Sequence, residues 1–195
     1  MADALLVPVI YGSVRTERQG IRAARFVVER LKLRGHEPVL IDPLEKRLPM
    51  LDKMYKEFAA GTAPPVMAEL AELYRRADGF VIVSGEYNQG IPPALKNLLD
   101  HYLEEYFWRP AGIVTYSGGR YSGVRAGVQL RTVLGELGMV TIPSQCPYPT
   151  VGTTFAEDGS TKEEWIVRQT DEFITEFEWY AHALKAQRAA AGVPY

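Results

Sequence analysis

Two arginines and a hydroxyl group lie close together near the N-terminus, in the segment GSVRTERQG. Ser13, Arg15 and Arg18 follow the apolar run LLVPVIYG, and a segment with amphipathic helical spacing begins near Gly20. The free N–H groups at the start of a helix carry about half a positive charge. A phosphomonoester carries roughly −1.5 to −2 charges near neutral pH. The segment therefore predicts a site for a terminal phosphate; an ordinary helix cap with solvated arginines is the alternative.

The spacing within this segment differs from that of two common nucleotide-binding loops. GSVRTERQG lacks the G-x-G-x-x-G pattern of dinucleotide-binding turns, and no Gly-Lys-Ser/Thr sequence of a Walker A loop occurs. The predicted ligand is therefore something smaller than a dinucleotide that ends in a phosphate.

Two further polar, glycine-bearing turns follow later apolar runs. The segment SGEYNQGIPPALKNLLD carries Glu86, Tyr87 and Asn88 ahead of a helix that two prolines open. In YSGG, Gly118 and Gly119 would allow the backbone to approach a ring closely. Taken alone, each segment could be a polar loop or a plain turn. Three such turns, each after an apolar run, favour one shared site.

The elements that must position these turns alternate regularly. Apolar, mostly continuous runs occupy residues 5–12, 37–42, 79–84, 111–117 and 138–144. Helical patterns occupy residues 20–35, 63–78, 92–107, 121–138 and 161–190, and residues 43–64 form an irregular connection with room for a helical turn. Continuous apolar runs are typical of parallel strands that are buried on both faces. The alternation predicts an open, doubly wound α/β sheet, whose ligands bind beyond the carboxyl ends of the strands.

Composition narrows the function classes. The chain has 195 residues and a formal net charge of −2, which argues for a single domain and against a nucleic-acid-binding surface. The single cysteine, Cys146, permits no intramolecular disulfide, and His36, His101 and His182 lack metal-ligand spacing, so we expect no metal site. No signal peptide or membrane-spanning run is evident. We expect a soluble, cytoplasmic protein.

The segment HYLEEYFWRP concentrates aromatic residues. It carries Tyr102, Tyr106, Phe107 and Trp108, and some of these rings must face the core. The remainder would form an exposed apolar patch unless a partner covers them. The alternative is a monomer that packs all these rings into its own core. We expect His101, at the start of the segment, to lie at the surface or at an interface.

Three motifs resemble one known family. GSVRTERQG resembles the Gly-Ser-x-Arg phosphate loop of the NADPH-dependent FMN reductase family, which also includes azoreductases and quinone or chromate reductases. GEYNQGIPPALKNLLD is similar to that family's Pro-Glu-Tyr-Asn segment and the helix after it. YSGGRYSGVRAGVQLRTVLGELG resembles its third flavin loop with the following helix. The motifs occur in the family's order. Gly85 stands where the family often has proline, and Arg18 where many members have serine.

The resemblance implies an FMN site with a defined set of residues. The first loop would hold the phosphate, the second would line one edge of the isoalloxazine ring, and the third would line the other edge with backbone groups. The candidate cofactor-binding residues are Ser13, Arg15, Arg18, Gln19, Gly20, Glu86, Tyr87, Asn88, Gln89, Ser117, Gly118 and Gly119.

The resemblance also implies a fold and an activity. The fold is a flavodoxin-like three-layer sandwich formed by residues 1–195, with a five-stranded parallel sheet in the order 2-1-3-4-5. The activity is hydride transfer from NADPH or NADH to FMN, and then to a flavin, quinone or azo compound. No catalytic side chain is expected, because the flavin performs the redox chemistry. A homodimer or a dimer of dimers would form through the aromatic segment. The alternatives are a flavodoxin-type electron carrier, against which the small net charge speaks, and a nucleotide-phosphate binding module.

Overall fold

The computed structural model describes residues 3–195. Strands and helices alternate along the chain. In order they are β1 (Leu6–Tyr11), α1 (Gly20–Leu33), β2 (Glu37–Ile41), α2 (Pro65–Arg76), β3 (Phe80–Ser84), α3 (Pro93–Asp100), β4 (Pro110–Tyr116), α4 (Val124–Glu136), β5 (Val140–Tyr148), α5 (Val151–Thr154) and α6 (Glu164–Ala191). Single turns of 3₁₀ helix lie at Tyr55–Glu57 and Glu104–Tyr106.

The five strands form one parallel sheet in the order β2-β1-β3-β4-β5. This confirms the predicted fold class and strand order. All residues of β3 are buried, and successive side chains point to opposite faces of the sheet. Val81 and Val83 pack with residues of α1 and α6, whereas Phe80 and Ile82 pack with residues of α2, α3 and α4. Two apolar layers explain why the strand runs are continuous rather than alternating.

Two element boundaries differ from the sequence-based expectation. The helix expected over residues 92–107 ends at Asp100, because Tyr102 and Tyr106 turn into the core and Glu105, 2 % exposed, pairs with Arg75 at 2.8 Å. The fifth strand continues to Tyr148, beyond residue 144. That extended strand includes two prolines, which an edge strand tolerates because one of its sides has no strand partner.

His101 lies in the core, so the expectation of a surface or interface position was wrong. Its side chain is fully buried, and Nδ1 donates a hydrogen bond to the carbonyl oxygen of Asn97 at 2.7 Å. Tyr102 and Tyr106 are also buried, and their rings make edge contacts with that of Tyr74 or Phe80. This half of the aromatic segment therefore stabilises the chain's own core.

The other half of the aromatic segment is covered by the C-terminus. The rings of Phe107 and Trp108 are half-buried and lie 5.4 and 5.1 Å, centroid to centroid, from the ring of Tyr195. The segment therefore leaves less apolar surface for a partner than the sequence indicated. Over residues 3–195, no helix combines the length and the hydropathy needed to cross a membrane.

Candidate functional site

The loops that follow β1, β3 and β4 meet at the carboxyl edge of the sheet and line one cleft. Nine of the twelve predicted residues line it: Ser13, Arg15, Arg18, Gln19, Gly20, Glu86, Tyr87, Ser117 and Gly118. Four residues outside the predicted set also line it: Glu17, Gly85, Tyr116 and Val151. Asn88, Gln89 and Gly119 do not line the cleft, although each belongs to one of its loops.

Asn88 and Gln89 lie at the tip of a tight turn, which explains why they are outside the cleft. Tyr87 and Gly90 exchange two backbone hydrogen bonds, of 3.0 and 2.9 Å, that close the turn. Asn88 and Gln89 both have positive φ, at 50° and 68°, a conformation that residues with side chains adopt rarely. Their exposed side chains leave Tyr87 and the backbone as the part of this loop that faces the cleft.

Tyr116 forms the floor between two of the loops. A Cβ atom at Gly20 would lie 2.0 Å from Cζ of this ring, and one at Gly85 would lie 3.1 Å from the same atom. Gly20 is therefore required by the close approach of α1 to the ring. The contact at Gly85 is tighter than an ordinary van der Waals contact, so a side chain there, such as the proline that the family often has, would require the ring to shift by a few tenths of an ångström.

Hydroxyl groups connect the loops beside that ring. Ser13 Oγ and Tyr87 Oη lie 2.7 Å apart, so the first and second loops are joined directly. Tyr116 donates to the hydroxyl of Tyr11 at 3.3 Å. Burial raises the pKa of Tyr11 and holds the pKa of Tyr116 well above its ordinary value. Both phenols therefore stay protonated and neutral across the physiological pH range.

Asp42 changes the charge of the first loop. It follows β2, is 3 % exposed, and accepts hydrogen bonds from the guanidinium of Arg18 and from the amide of Leu44. The hydrogen bond to Asp42 raises the pKa of Arg18. Arg15, in contrast, forms no ion pair within residues 3–195. Within residues 3–195, the charge of Arg18 is therefore compensated by Asp42, whereas the charge of Arg15 is not compensated. The sequence had suggested that both arginines were equally available to an anion.

Glu86 holds the second loop against α4. Its carboxylate pairs with the guanidinium of Arg125 at 2.9 Å and accepts from the backbone amides of Arg125 and Ala126 at 3.0 and 3.4 Å. A carboxylate at the start of a helix satisfies free N–H groups and complements the helix dipole. The sequence placed Glu86 at the flavin edge but gave no sign of Arg125, because the contact spans 39 positions.

The third loop is shaped by β5 and α5. The carbonyls of Ser117 and Gly119 accept from the amides of Val151 and Thr150, each at 3.0 Å. Apart from the residues adjacent in the chain, no residue among 3–195 has an atom within 4 Å of the place where a Cβ would stand at Gly118 or Gly119. The protein itself therefore leaves this backbone open, as a ring stacked against it would require.

The donor groups of the cleft fit a phosphorylated flavin. The backbone N–H groups of Ser13 and Gly20, two residues that line the cleft, have no acceptor among residues 3–195, and Arg15 lines the same cleft. The enclosed space is about 170 Å³, less than the ~300–1,000 Å³ of a typical cofactor pocket. It therefore encloses only part of a mononucleotide, and the remainder would lie along the open rim formed by Tyr87 and Gly118.

Comparisons with known proteins identify the family of this chain. The model of the family described as NADPH-dependent FMN reductase matches residues 5–151, so the chain belongs to this family. A curated relative, the FMN-dependent NADPH-azoreductase of Staphylococcus aureus, is 30 % identical over 161 residues, covering 78 % of this chain and 81 % of that protein.

Solved structures show the same fold. The flavoenzyme NAD(P)H:(acceptor) oxidoreductase FerB from Paracoccus denitrificans matches with a TM-score of 0.72 at 20 % identity, over 91 % of this chain and 97 % of that one. A flavodoxin from Pseudomonas aeruginosa matches with a TM-score of 0.53 at 20 % identity, over 92 % and 98 % of the two chains. The flavodoxin-like fold and the family inferred from the three motifs are thus confirmed. The chain is an FMN-dependent NAD(P)H oxidoreductase.

Proposed function

We propose that this oxidoreductase holds FMN in the cleft, takes hydride from a nicotinamide at the open rim, and reduces a quinone, an azo compound or a free flavin at the same place. The observation that carries the assignment of the site is the convergence of nine predicted residues from three loops on one cleft. Azo compounds are included because the curated relative is an azoreductase.

The first loop is assigned to the phosphate of FMN. Arg15 supplies a charge without an acidic partner, and the backbone N–H groups of Ser13 and Gly20, which have no acceptor among residues 3–195, supply hydrogen-bond donors. Arg18, bound to Asp42, contributes the N–H groups that this carboxylate leaves free. The buried partner fixes the orientation of the guanidinium, so little entropy is lost when phosphate binds.

The second and third loops are assigned to the two edges of the flavin ring. Tyr87 supplies an aromatic ring, and the hydrogen bond between its hydroxyl and Ser13 fixes the position of that ring. Ser117 and Gly118 supply backbone groups that a ligand can approach closely. Bound FMN supplies reversible acceptance of hydride, and the protein contributes orientation and hydrogen bonds that tune its potential. The side chains of the cleft therefore bind and orient, and none is assigned a role as catalytic acid or base.

We also propose that the protein forms a homodimer or a dimer of dimers and is located in the cytoplasm. A chain with one buried cysteine suits the reducing cytoplasm. Sedimentation of the purified protein at micromolar concentration tests the assembly directly.

The phosphate assignment is tested by comparing FMN with riboflavin, which lacks the phosphate. We expect Arg15→Ala to weaken FMN binding about tenfold, the loss of one charge-assisted hydrogen bond, and to leave riboflavin binding unchanged. Arg168→Ala, which removes an exposed arginine on α6, is the matched control. Binding is followed by calorimetry and by flavin absorption near ~450 nm. Equal loss of affinity for both flavins would refute contact with the phosphate.

Measurement of catalytic turnover distinguishes an enzyme from a non-enzymatic electron carrier. We expect steady oxidation of NAD(P)H with a quinone, an azo dye or free FMN as acceptor, because the rim is open to both substrates. A protein that binds FMN but exchanges electrons only with a protein partner would be a carrier, and a protein that binds no flavin would be neither.

A further inference from the structure

We propose that Arg120, Tyr121 and Arg125 recognise the 2′-phosphate of the adenosine moiety of NADPH. This inference rests on the proposed function, because it concerns the dinucleotide that delivers the hydride. It assigns a second anion-binding site, distinct from the loop assigned to the phosphate of FMN.

Two cations converge on one exposed aromatic ring. The guanidinium carbons of Arg120 and Arg125 lie 5.0 and 5.1 Å from the ring centroid of Tyr121, which is 55 % exposed. Arg120 also donates to the hydroxyl of Tyr121 at 3.0 Å. The cation–π contacts bring both guanidinium groups to one exposed ring, although their like charges repel. An anion between or beside them would relieve that repulsion.

The cluster borders the cleft at the end assigned to the flavin ring. Arg120 is two residues beyond Gly118, and Arg125 is bonded to Glu86; both Gly118 and Glu86 line the cleft. The loops after β1 and β4 are separated by β3, which is two strand spacings or roughly 10 Å. The phosphate of FMN, held after β1, therefore does not neutralise this cluster.

Within residues 3–195, the cluster has one positive charge that no acidic side chain compensates, so it can bind an anion. Glu86 compensates Arg125, whereas Arg120 forms no ion pair within the described chain, residues 3–195. Beside them, Val124 and Val128 are 39 % and 66 % exposed and are four positions apart on α4, so they share one face of the helix. An apolar strip next to a cation suits a purine base joined to a phosphorylated ribose.

NADPH satisfies these features together. Its nicotinamide must reach the flavin at the rim, its adenosine extends away from that point, and its 2′-phosphate is the group that NADH lacks. Arg120 is then the principal determinant of preference for NADPH, and Tyr121 and Glu86 are positioning residues that act through the two arginines.

The first test compares the two nicotinamides in the FMN-loaded enzyme. We expect Arg120→Ala to lower kcat/KM for NADPH about tenfold, through the loss of a charge-assisted contact, and to leave kcat/KM for NADH unchanged. Arg168→Ala is the control for removal of an exposed arginine remote from the cleft. Equal losses with both nicotinamides, or no loss with either, would overturn the inference.

The second test needs no turnover. Adenosine 2′,5′-bisphosphate and 5′-AMP are titrated calorimetrically into the FMN-loaded protein, and we expect Arg120→Ala to abolish the advantage of the bisphosphate. A wild-type protein that binds both probes equally would also overturn the inference. FMN binding and oxidation of NADH would persist in that case, so the proposed function would stand while the 2′-phosphate site would fall.

An anionic acceptor is the competing use of the same cations. If Arg120→Ala raises KM for a sulfonated azo dye and leaves the ratio of kcat/KM between NADPH and NADH unchanged, the cluster serves the acceptor and the inference is wrong.

Discussion

The buried carboxylate of Asp42 determines how the first loop carries its charge. It binds Arg18 and leaves Arg15, within residues 3–195, as the cation of the loop without an acidic partner. The types and spacing of Ser13, Arg15, Arg18 and Gly20 predicted an anion site; the structure places these residues in one cleft, and the binding of an anion there stays a prediction. The role of Asp42 was not predictable, since it lies 24 positions from Arg18 and only the pairing of β1 with β2 brings them together.

Gly20 offers a prediction at the scale of one residue. A Cβ there would stand 2.0 Å from the buried ring of Tyr116. We expect Gly20→Ala to lower the free energy of unfolding by about 1–3 kcal/mol, the usual cost of overpacking, and to weaken FMN binding because α1 must shift. Urea denaturation and FMN titration measure the two effects.

Gly135→Ala is the matched control for this change. Gly135 lies on α4, and among residues 3–195 no atom outside its own helical turn lies within 4 Å of the place where its Cβ would stand. Alanine there should be neutral or slightly stabilising through helix propensity. If Gly20→Ala were as stable as Gly135→Ala and bound FMN normally, the close approach of α1 to Tyr116 would have no energetic consequence.

At the scale of elements, α6 is joined to α1 and to the turn before β2 by ion pairs. Arg34 and His36 both contact Glu178 on α6, with His36 Nε2 2.7 Å from the carboxylate, and Arg30 pairs with Asp171 at 2.7 Å. Burial alone would raise the pKa of Glu178, but hydrogen bonds from Arg34 and His36 outweigh it and hold that pKa below the ordinary value. The carboxylate therefore contributes to stability in its charged form.

This pairing predicts a stability difference that depends on pH. A lowered pKa in the folded state gives stability that is present above the unfolded pKa and is lost as pH falls through the folded pKa. We expect Glu178→Gln to lower the free energy of unfolding by up to about 1 kcal/mol near pH 7, and expect the difference from wild type to shrink below about pH 4. Denaturant unfolding at several pH values measures it.

Glu172→Gln, which changes an exposed glutamate on the same helix, should show no such trend. A constant difference between Glu178→Gln and wild type from about pH 7 down to about pH 3, across the ordinary glutamate pKa, would mean that the ionised carboxylate is not what stabilises this contact.

The order and type of the elements followed from the sequence, because apolar runs and helical spacing repeat five times. Their boundaries followed less well. Nothing in the spacing of residues 92–107 signals the break after Asp100, since it depends on the pairing of Glu105 with Arg75 on another helix and on the burial of two tyrosines. Tertiary contacts of this kind override a local helical pattern.

At the scale of the whole molecule, the C-terminus covers part of the aromatic segment. Tyr195 contacts Phe107 and Trp108, and Arg188 of α6 donates to the carbonyl of Trp108 at 2.8 Å. The sequence could not show this, because Tyr195 is 87 positions beyond Trp108. The predicted homodimer therefore needs a surface other than the rings that the chain covers itself.

A double-mutant cycle measures the interaction energy between the aromatic segment and the C-terminal residue. We expect Trp108→Ala and Tyr195→Ala to be non-additive by about 0.5–1 kcal/mol in the free energy of unfolding, as found for aromatic pairs in contact. Sedimentation of the same variants reports whether either ring also contributes to assembly. Strictly additive losses would show that the C-terminal residue does not stabilise the segment.

One tyrosine ring touches the turns at both ends of the proposed ligand. The Cζ, Cε2 and Oη atoms of Tyr116 are close to both Gly20 and Gly85, and its hydroxyl donates a hydrogen bond to that of Tyr11. The buried ring therefore fixes the distance between the loop proposed to bind the phosphate and the loop proposed to contact the heterocycle. Mononucleotides with a shorter linker between these two parts would engage one turn at a time, which is a form of selection by length rather than by charge.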